Sequence, residues 1–154
     1  MSSLDQMYQQ VILDHAQRKV GSGPVDDVDG SSFQTNPTCG DEVSLGVRIG
    51  EDGTVREVVW DGDGCSISQA SLSMMTELVS GKTPAEVASL AEAFSTLMHS
   101  RGHDVEESVL DVLEDASSLH GTSKFPNRVK CALLGWMALR DALAQAGVSL
   151  KEES

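Results

Sequence analysis

The sequence predicts an α+β fold, a small antiparallel sheet of about three strands packed against several helices. Three observations carry this prediction. The apolar period is helical before residue 19 and again after residue 65. Between about residues 33 and 62 it becomes a two-residue alternation. Strand-like and helix-like stretches are segregated along the chain, which is the order of an α+β protein rather than of a parallel βαβ protein.

The elements follow in order. Leu4, Met7, Tyr8, Val11, Ile12 and His15 fall on one helical face, and the breaker cluster Val20-Gly21-Ser22-Gly23-Pro24 ends that helix near Arg18. Residues 19 to 32 read as a loop. Val43, Leu45, Val47 and Ile49 alternate with Ser44, Gly46 and Arg48, Glu51-Asp52-Gly53 signals a hairpin, and Val55, Val58, Val59 and Trp60 continue a second strand. After Cys65, a helix runs from about Ser68 to Val79 and stops at Gly81, with Met74 and Met75 as core residues. Thr83, Pro84 and Glu86 fit the N-cap, N1 and N3 positions of the next helix, whose apolar face is Val87, Leu90, Ala91, Phe94 and Leu97. His99 to Gly102 breaks it. Asp104 to Leu113 reads as a short acidic helix and Ser117 to Pro126 as a loop. The last helix spans about Asn127 to Ala146, with Val129, Leu133, Trp136, Met137 and Leu143 facing inward and Gly147 ending it.

Composition narrows the function. The chain has 154 residues, 40% of them hydrophobic, which suits one globular domain over residues 1–150 with residues 151–154 as a frayed tail. A chain of this length buries roughly 68–70% of its unfolded surface, so it needs no disulfide staples. Lys and Arg number 11 against 24 Asp and Glu, a net charge of −13. That balance opposes docking on nucleic-acid phosphates or anionic lipid. No apolar stretch is long enough to span a membrane, and Met1 to Gln10 lacks the features of a secretory signal. Three cysteines cannot all pair within one chain, and Pro37 blocks the Asn36-Pro37-Thr38 glycosylation triplet. The expected location is the cytoplasm, where unpaired cysteines bind metal or do chemistry more often than they form bridges.

The cysteines are the chemically informative residues. Cys39 sits in the turn sequence Asn36-Pro37-Thr38-Cys39-Gly40-Asp41, so Cys39 and Asp41 can reach one point from a tight loop. Cys65 stands where strand gives way to helix, and the exposed N–H groups of a helix start favour a thiolate there. Cys131 lies in the first turns of the last helix. Three thiols and a carboxylate suit a tetrahedral zinc ion. The separations, 26 positions from Cys39 to Cys65 and 66 from Cys65 to Cys131, match no compact zinc finger, and buried apolar cysteines are the competing reading. No acidic residue lies between Asp115 and Asp141, whereas Lys124, Arg128, Lys130 and Arg140 do. Arg128 precedes Cys131 by three positions, on the same helical face. A zinc ion with three thiolates and one carboxylate would carry a net −2 that nearby cations balance; a solvated helix end explains the same charges.

The other candidates are weaker. His99 and His103 are four apart but separated by Gly102, His120 falls in a loop, and His15 lies on an apolar face as a packing residue. Asp61-Gly62-Asp63-Gly64 lacks the glycine and terminal Glu positions of a calcium loop. No dinucleotide fingerprint, phosphate loop or nucleophile elbow is present.

Four stretches together carry a family resemblance: Tyr8-Gln9-Gln10-Val11-Ile12-Leu13-Asp14-His15, Asn36-Pro37-Thr38-Cys39-Gly40-Asp41, Gly62 to Ser71 followed by Met74-Met75, and Phe125 to Trp136. In this order they resemble the SufU family, relatives of the IscU/NifU-type iron–sulfur scaffolds, over nearly the whole chain. Two features point to SufU rather than IscU. Lys130 stands where IscU scaffolds place a His, and the long stretch from Cys65 to Cys131 is consistent with the SufU insertion. The resemblance implies a SufE/NifU-like fold and one zinc ion per chain on Cys39, Asp41, Cys65 and Cys131. It implies a zinc-dependent sulfurtransferase in which Cys39 accepts sulfane sulfur from a SufS-type cysteine desulfurase, a pyridoxal-phosphate enzyme. A His of that enzyme takes over a zinc position on docking and frees Cys39. The persulfide then goes to the SufBCD assembly complex or is reduced. Arg128 matches a family Arg near the site, with a role in docking or charge balance. A monomer is expected, since the site must stay open to its partner. The alternative is an iron–sulfur scaffold holding a nascent cluster on the same cysteines, which Lys130 argues against. A third reading is a structural zinc domain serving as an acidic interaction module.

Overall fold

The structure is a computed structural model that describes residues 3–38, 40–148 and 150. The expected zinc ligand Cys39, the side chain of Leu4 and the expected tail 151–154 lie outside the described residues. The element order is α1 (Ser3–Arg18), β1 (Gly30–Asn36), β2 (Asp41–Ile49), β3 (Val55–Asp63), α2 (Ser66–Val79), α3 (Pro84–His99), α4 (Glu107–Leu113), a 3-10 helix (Glu114–Lys124) and α5 (Pro126–Gln145). The three strands form an antiparallel meander in the order β1-β2-β3, so the predicted α+β architecture is present.

The alternating residues Val43, Leu45 and Val47 are fully buried, as are Val55 and Trp60 on β3. Each buried side chain of this size contributes about 1.5–3 kcal/mol through removal from water. Against these strands pack α5, which lies along β1 and β2, and α2, which touches β3 and α5. The remaining helices close the far side of α2, where Phe94 of α3 stacks on Trp136 of α5 with ring centroids 5.2 Å apart. At Thr83 the predicted capping box is complete. The Thr83 Oγ1 accepts from the Glu86 N–H at 3.2 Å, and the Glu86 carboxylate accepts from the Thr83 N–H at 2.9 Å. That backbone donor, with the Thr83 hydroxyl, holds the Glu86 carboxyl below its usual range. No helix among the described residues is long and apolar enough to cross a membrane.

Several elements differ from the sequence expectation, each for a packing reason. β1 begins at Gly30, three residues earlier than its first apolar residue, Phe33. Its buried positions are Gly30, Ser32 and Asn36, small or polar because α5 passes close by. A Cβ at Gly30 would stand 2.7 Å from the Ala146 nitrogen and 2.9 Å from its Cβ. Part of the expected loop 19–32 pairs with β3. Trp60 donates its N–H to the Gly21 carbonyl at 3.0 Å and its Nε1–H to the Val20 carbonyl at 2.8 Å, which covers that sheet edge. The expected loop from Ser117 belongs largely to the 3-10 helix. Ala116 and Leu119 are buried, while the hydroxyls of Ser117 and Ser123 donate to carbonyls three residues back at 2.7 and 2.6 Å. Met7 and Met137, expected on inward faces, are 63% and 57% exposed. On α5 Trp136 and Leu143 are buried as expected, Ala138, Leu139 and Ala142 fill the rest of the core side, and Val129 and Leu133 are half-buried. The small residues bring α5 closer than a Met could.

Candidate metal centre

Three elements meet at the site. Asp41 is the first residue of β2, Cys65 directly precedes α2, and Cys131 lies in the second turn of α5. Their convergence depends on how tightly α2 crosses α5. Gly135 leaves room for Leu72, whose Cδ2 would otherwise stand 2.5 Å from a Cβ, and the Ser71 hydroxyl donates to the Ala132 carbonyl at 2.6 Å. The same helix rows carry Cys131 toward Cys65.

Asp41 is 2% exposed, and its two oxygens are used differently. Oδ1 accepts the backbone N–H of Cys65 at 2.9 Å, which ties the start of α2 to the sheet. Oδ2 faces the Cys65 Sγ at 3.9 Å. Cys65 itself occupies the N-cap position, where the free N–H groups of the first helical turn favour negative charge. Cys65 is exposed and Cys131 is buried. The Cys131 Sγ lies 3.4 Å from the Asn127 carbonyl oxygen and 3.8 Å from the Asn36 Nδ2, an amide that donates to it.

One ligand atom from each of Asp41, Cys65 and Cys131 lies within 4.8 Å of the other two. Ligands of one tetrahedral zinc ion stand about 3.6 Å apart, given Zn–S near 2.3 Å and Zn–O near 2.1 Å. The described residues therefore fit zinc in donor chemistry, two thiols and a carboxylate, and in spacing. All three residues are candidates from the sequence, and the fold brings them together. The sequence did not reveal Asn36 as a partner of Cys131, nor the space that Gly64 leaves for Asp41. Both residues sit inside the motifs that carry the family resemblance, but nothing in their spacing announces these contacts. Arg128 is exposed, with its guanidinium carbon 5.0 Å above the Phe125 ring, and Lys124 lies along Gly102. The four cations of the basic island are all exposed, with Lys124 before α5, Arg128 and Lys130 in its first turns and Arg140 further along it.

A second group of ligand-type residues, His15, Glu77 and Asp115, is closed by its own hydrogen bonds. The Val20 N–H donates to the Ser73 Oγ at 3.0 Å, which leaves the Ser73 hydroxyl proton for the His15 Nδ1 at 2.8 Å. The Nε2–H then donates to Asp115 Oδ2 at 2.9 Å. Arg18 bridges Asp14 and Glu77, and those carboxylates hold its pKa above the ordinary value. His15 is fully buried and joins α1 to α2 and the 3-10 helix, as expected of a packing residue. Replacing it with Ala should cost about 1–3 kcal/mol, because a buried hydroxyl loses its partner. Denaturant unfolding measures this, and zinc content should not change. His99 donates to the Ser95 carbonyl and His120 to the His103 carbonyl, and neither belongs to a ligand group among the described residues.

Comparison with known proteins places the chain in a family. The sequence pattern of the family described as NifU-like N terminal domain matches residues 7–146. The chain is 40% identical to the zinc-dependent sulfurtransferase SufU of Bacillus subtilis, over 94% of both chains. It is 38% identical to the iron–sulfur cluster assembly scaffold protein IscU of Streptococcus pyogenes, over 95% of this chain and 88% of that one. Among solved structures, the iron–sulfur cluster assembly scaffold protein for the SUF system (SufU) of Fervidobacterium islandicum AW-1 superposes with a TM-score of 0.73 at 29% identity, covering 95% of this chain and 98% of that one.

Proposed function

Because the chain belongs to the NifU-like N-terminal domain family, alongside proteins named SufU and IscU, we propose that it is a zinc-dependent sulfurtransferase of iron–sulfur cluster assembly. The observation that carries this reading is the convergence of Asp41, Cys65 and Cys131, with Lys130 where a scaffold would carry His. Cys39 is the fourth donor in this proposal. It stands two residues before Asp41, so the covalent chain keeps the two Cα atoms within about 7 Å. Zinc, when bound, supplies a positive charge that keeps a coordinating thiol deprotonated near neutral pH.

The sulfur step belongs to Cys39. Its thiolate attacks the terminal sulfur of a cysteine persulfide on a SufS-type desulfurase. An S–S bond forms on Cys39, the donor's S–S bond breaks, and the donor cysteine leaves as a thiolate. Sulfur moves with no net oxidation, so no electron acceptor is needed. The persulfide then passes to a SufBCD-type assembly complex. In this reading Arg128 and its neighbouring cations meet the desulfurase and offset the charge of the thiolate-rich site. The names of the relatives also support a second reading, a scaffold holding a cluster on the same cysteines.

Metal and labile-sulfide analysis of the protein purified without added metal separates the two. The expected result is one zinc per chain without iron or sulfide. Iron and sulfide in near-equal amounts would overturn the sulfurtransferase in favour of the scaffold. Absence of any metal would overturn both.

A further inference from the structure

Asn36 ends β1 and is 7% exposed. In the β1–β2 register it stands opposite Asp41, so one strand pair delivers both a carboxylate for the metal and an amide for the sulfur of Cys131. The surroundings of that sulfur show what the amide supplies. As a thiol, Cys131 can donate to the Asn127 carbonyl, 3.4 Å away. As a metal-binding thiolate it has no proton to donate, and the same carbonyl oxygen then faces it with negative partial charge. The Asn36 amide at 3.8 Å presents a donor to the sulfur in either state. A buried anion without such a donor is costly.

Resting on the zinc reading above, we infer that Asn36 is a positioning residue of the metal centre. Its Nδ2–H offsets the charge of the Cys131 thiolate and aims the sulfur toward Asp41 and Cys65. Groups that hydrogen-bond to metal ligands in this way typically matter 10–100-fold for metal affinity.

The test compares the wild-type chain with Asn36→Leu, which keeps the branched outline and removes the donor, and Asn36→Ala. Zinc affinity is measured by competition with a chromophoric chelator, and cobalt(II) is substituted to read the thiolate-to-metal charge-transfer band. Both variants should bind zinc about 10–100-fold more weakly. Their cobalt band should move to lower energy, because a thiolate without an N–H donor gives up an electron more easily. Melting curves of the metal-free proteins check that the fold is kept. Unchanged affinity in a folded variant would overturn the inference. Weaker affinity with an unmoved cobalt band would also overturn it, leaving Asn36 a purely structural residue. If the wild-type chain itself bound neither zinc nor cobalt, the zinc reading would fall first and the role of Asn36 with it.

Discussion

Cys39→Ser should abolish sulfur acceptance. With a SufS-type desulfurase and sulfur-labelled cysteine, the variant should carry no persulfide label, and transfer should fall by at least about 10³-fold, as when an enzyme loses its nucleophile. A serine hydroxyl holds its proton at neutral pH and is a poor ligand for a soft site, so it replaces neither function of the thiolate. The fold should remain, because burial of the described strand and helix side chains supplies its stability. A structural zinc domain predicts the reverse pattern, a chain that loses stability and has no transfer activity to lose. A Cys39→Ser protein that stimulated the desulfurase as well as wild type would remove Cys39 from the acceptor role.

Gly64→Ala should damage the site from the second side. Gly64 lies between the end of β3 and the start of α2, and a Cβ there would overlap Asp41 Oδ1. It would also stand 2.6 Å from the Ser68 Oγ and 2.9 Å from the Asp41 Cγ. Asp41 cannot swing away without giving up the Cys65 N–H that it accepts at 2.9 Å. Overpacking of this kind costs about 1–3 kcal/mol of stability. Moving a ligand should also weaken zinc binding by at least about 10-fold, by analogy with changes to groups that orient metal ligands. Gly53→Ala is the control. Gly53 has a φ of +85° in open space at the β2–β3 turn, so substitution there costs about 1–2 kcal/mol of backbone strain and should leave zinc alone. Thermal melts and metal titration read both variants. Wild-type zinc affinity in Gly64→Ala would mean that Asp41 is not a ligand.

Much of the fold was legible because burial leaves a period in the sequence. The β2 alternation of Val43, Leu45 and Val47 and the box Thr83-Pro84-Glu86 each state their local structure. What failed to read was packed through small or polar groups. β1 buries Gly30, Ser32 and Asn36, which carry no apolar signal, and the 3-10 helix buries only Ala116 and Leu119 as apolar residues while its serines bond its own carbonyls. Met137 has the composition of a core residue but sits outside, since the inward side of α5 is set by which neighbour comes close.

The same division holds at the site. The sequence by itself determined which thiols could bind zinc, because thiolates are soft ligands for it and the chain has three cysteines. It also determined that Cys39 and Asp41 stay close together, since covalent chain length limits their separation. Only the tertiary structure decided that Asp41, Cys65 and Cys131 converge, with Asn36 against Cys131 and Gly64 against Asp41. Cys65 and Cys131 are 66 positions apart, and a distance of that kind is set by the close crossing of α2 and α5, where Gly135 admits Leu72, not by any local preference of the residues involved.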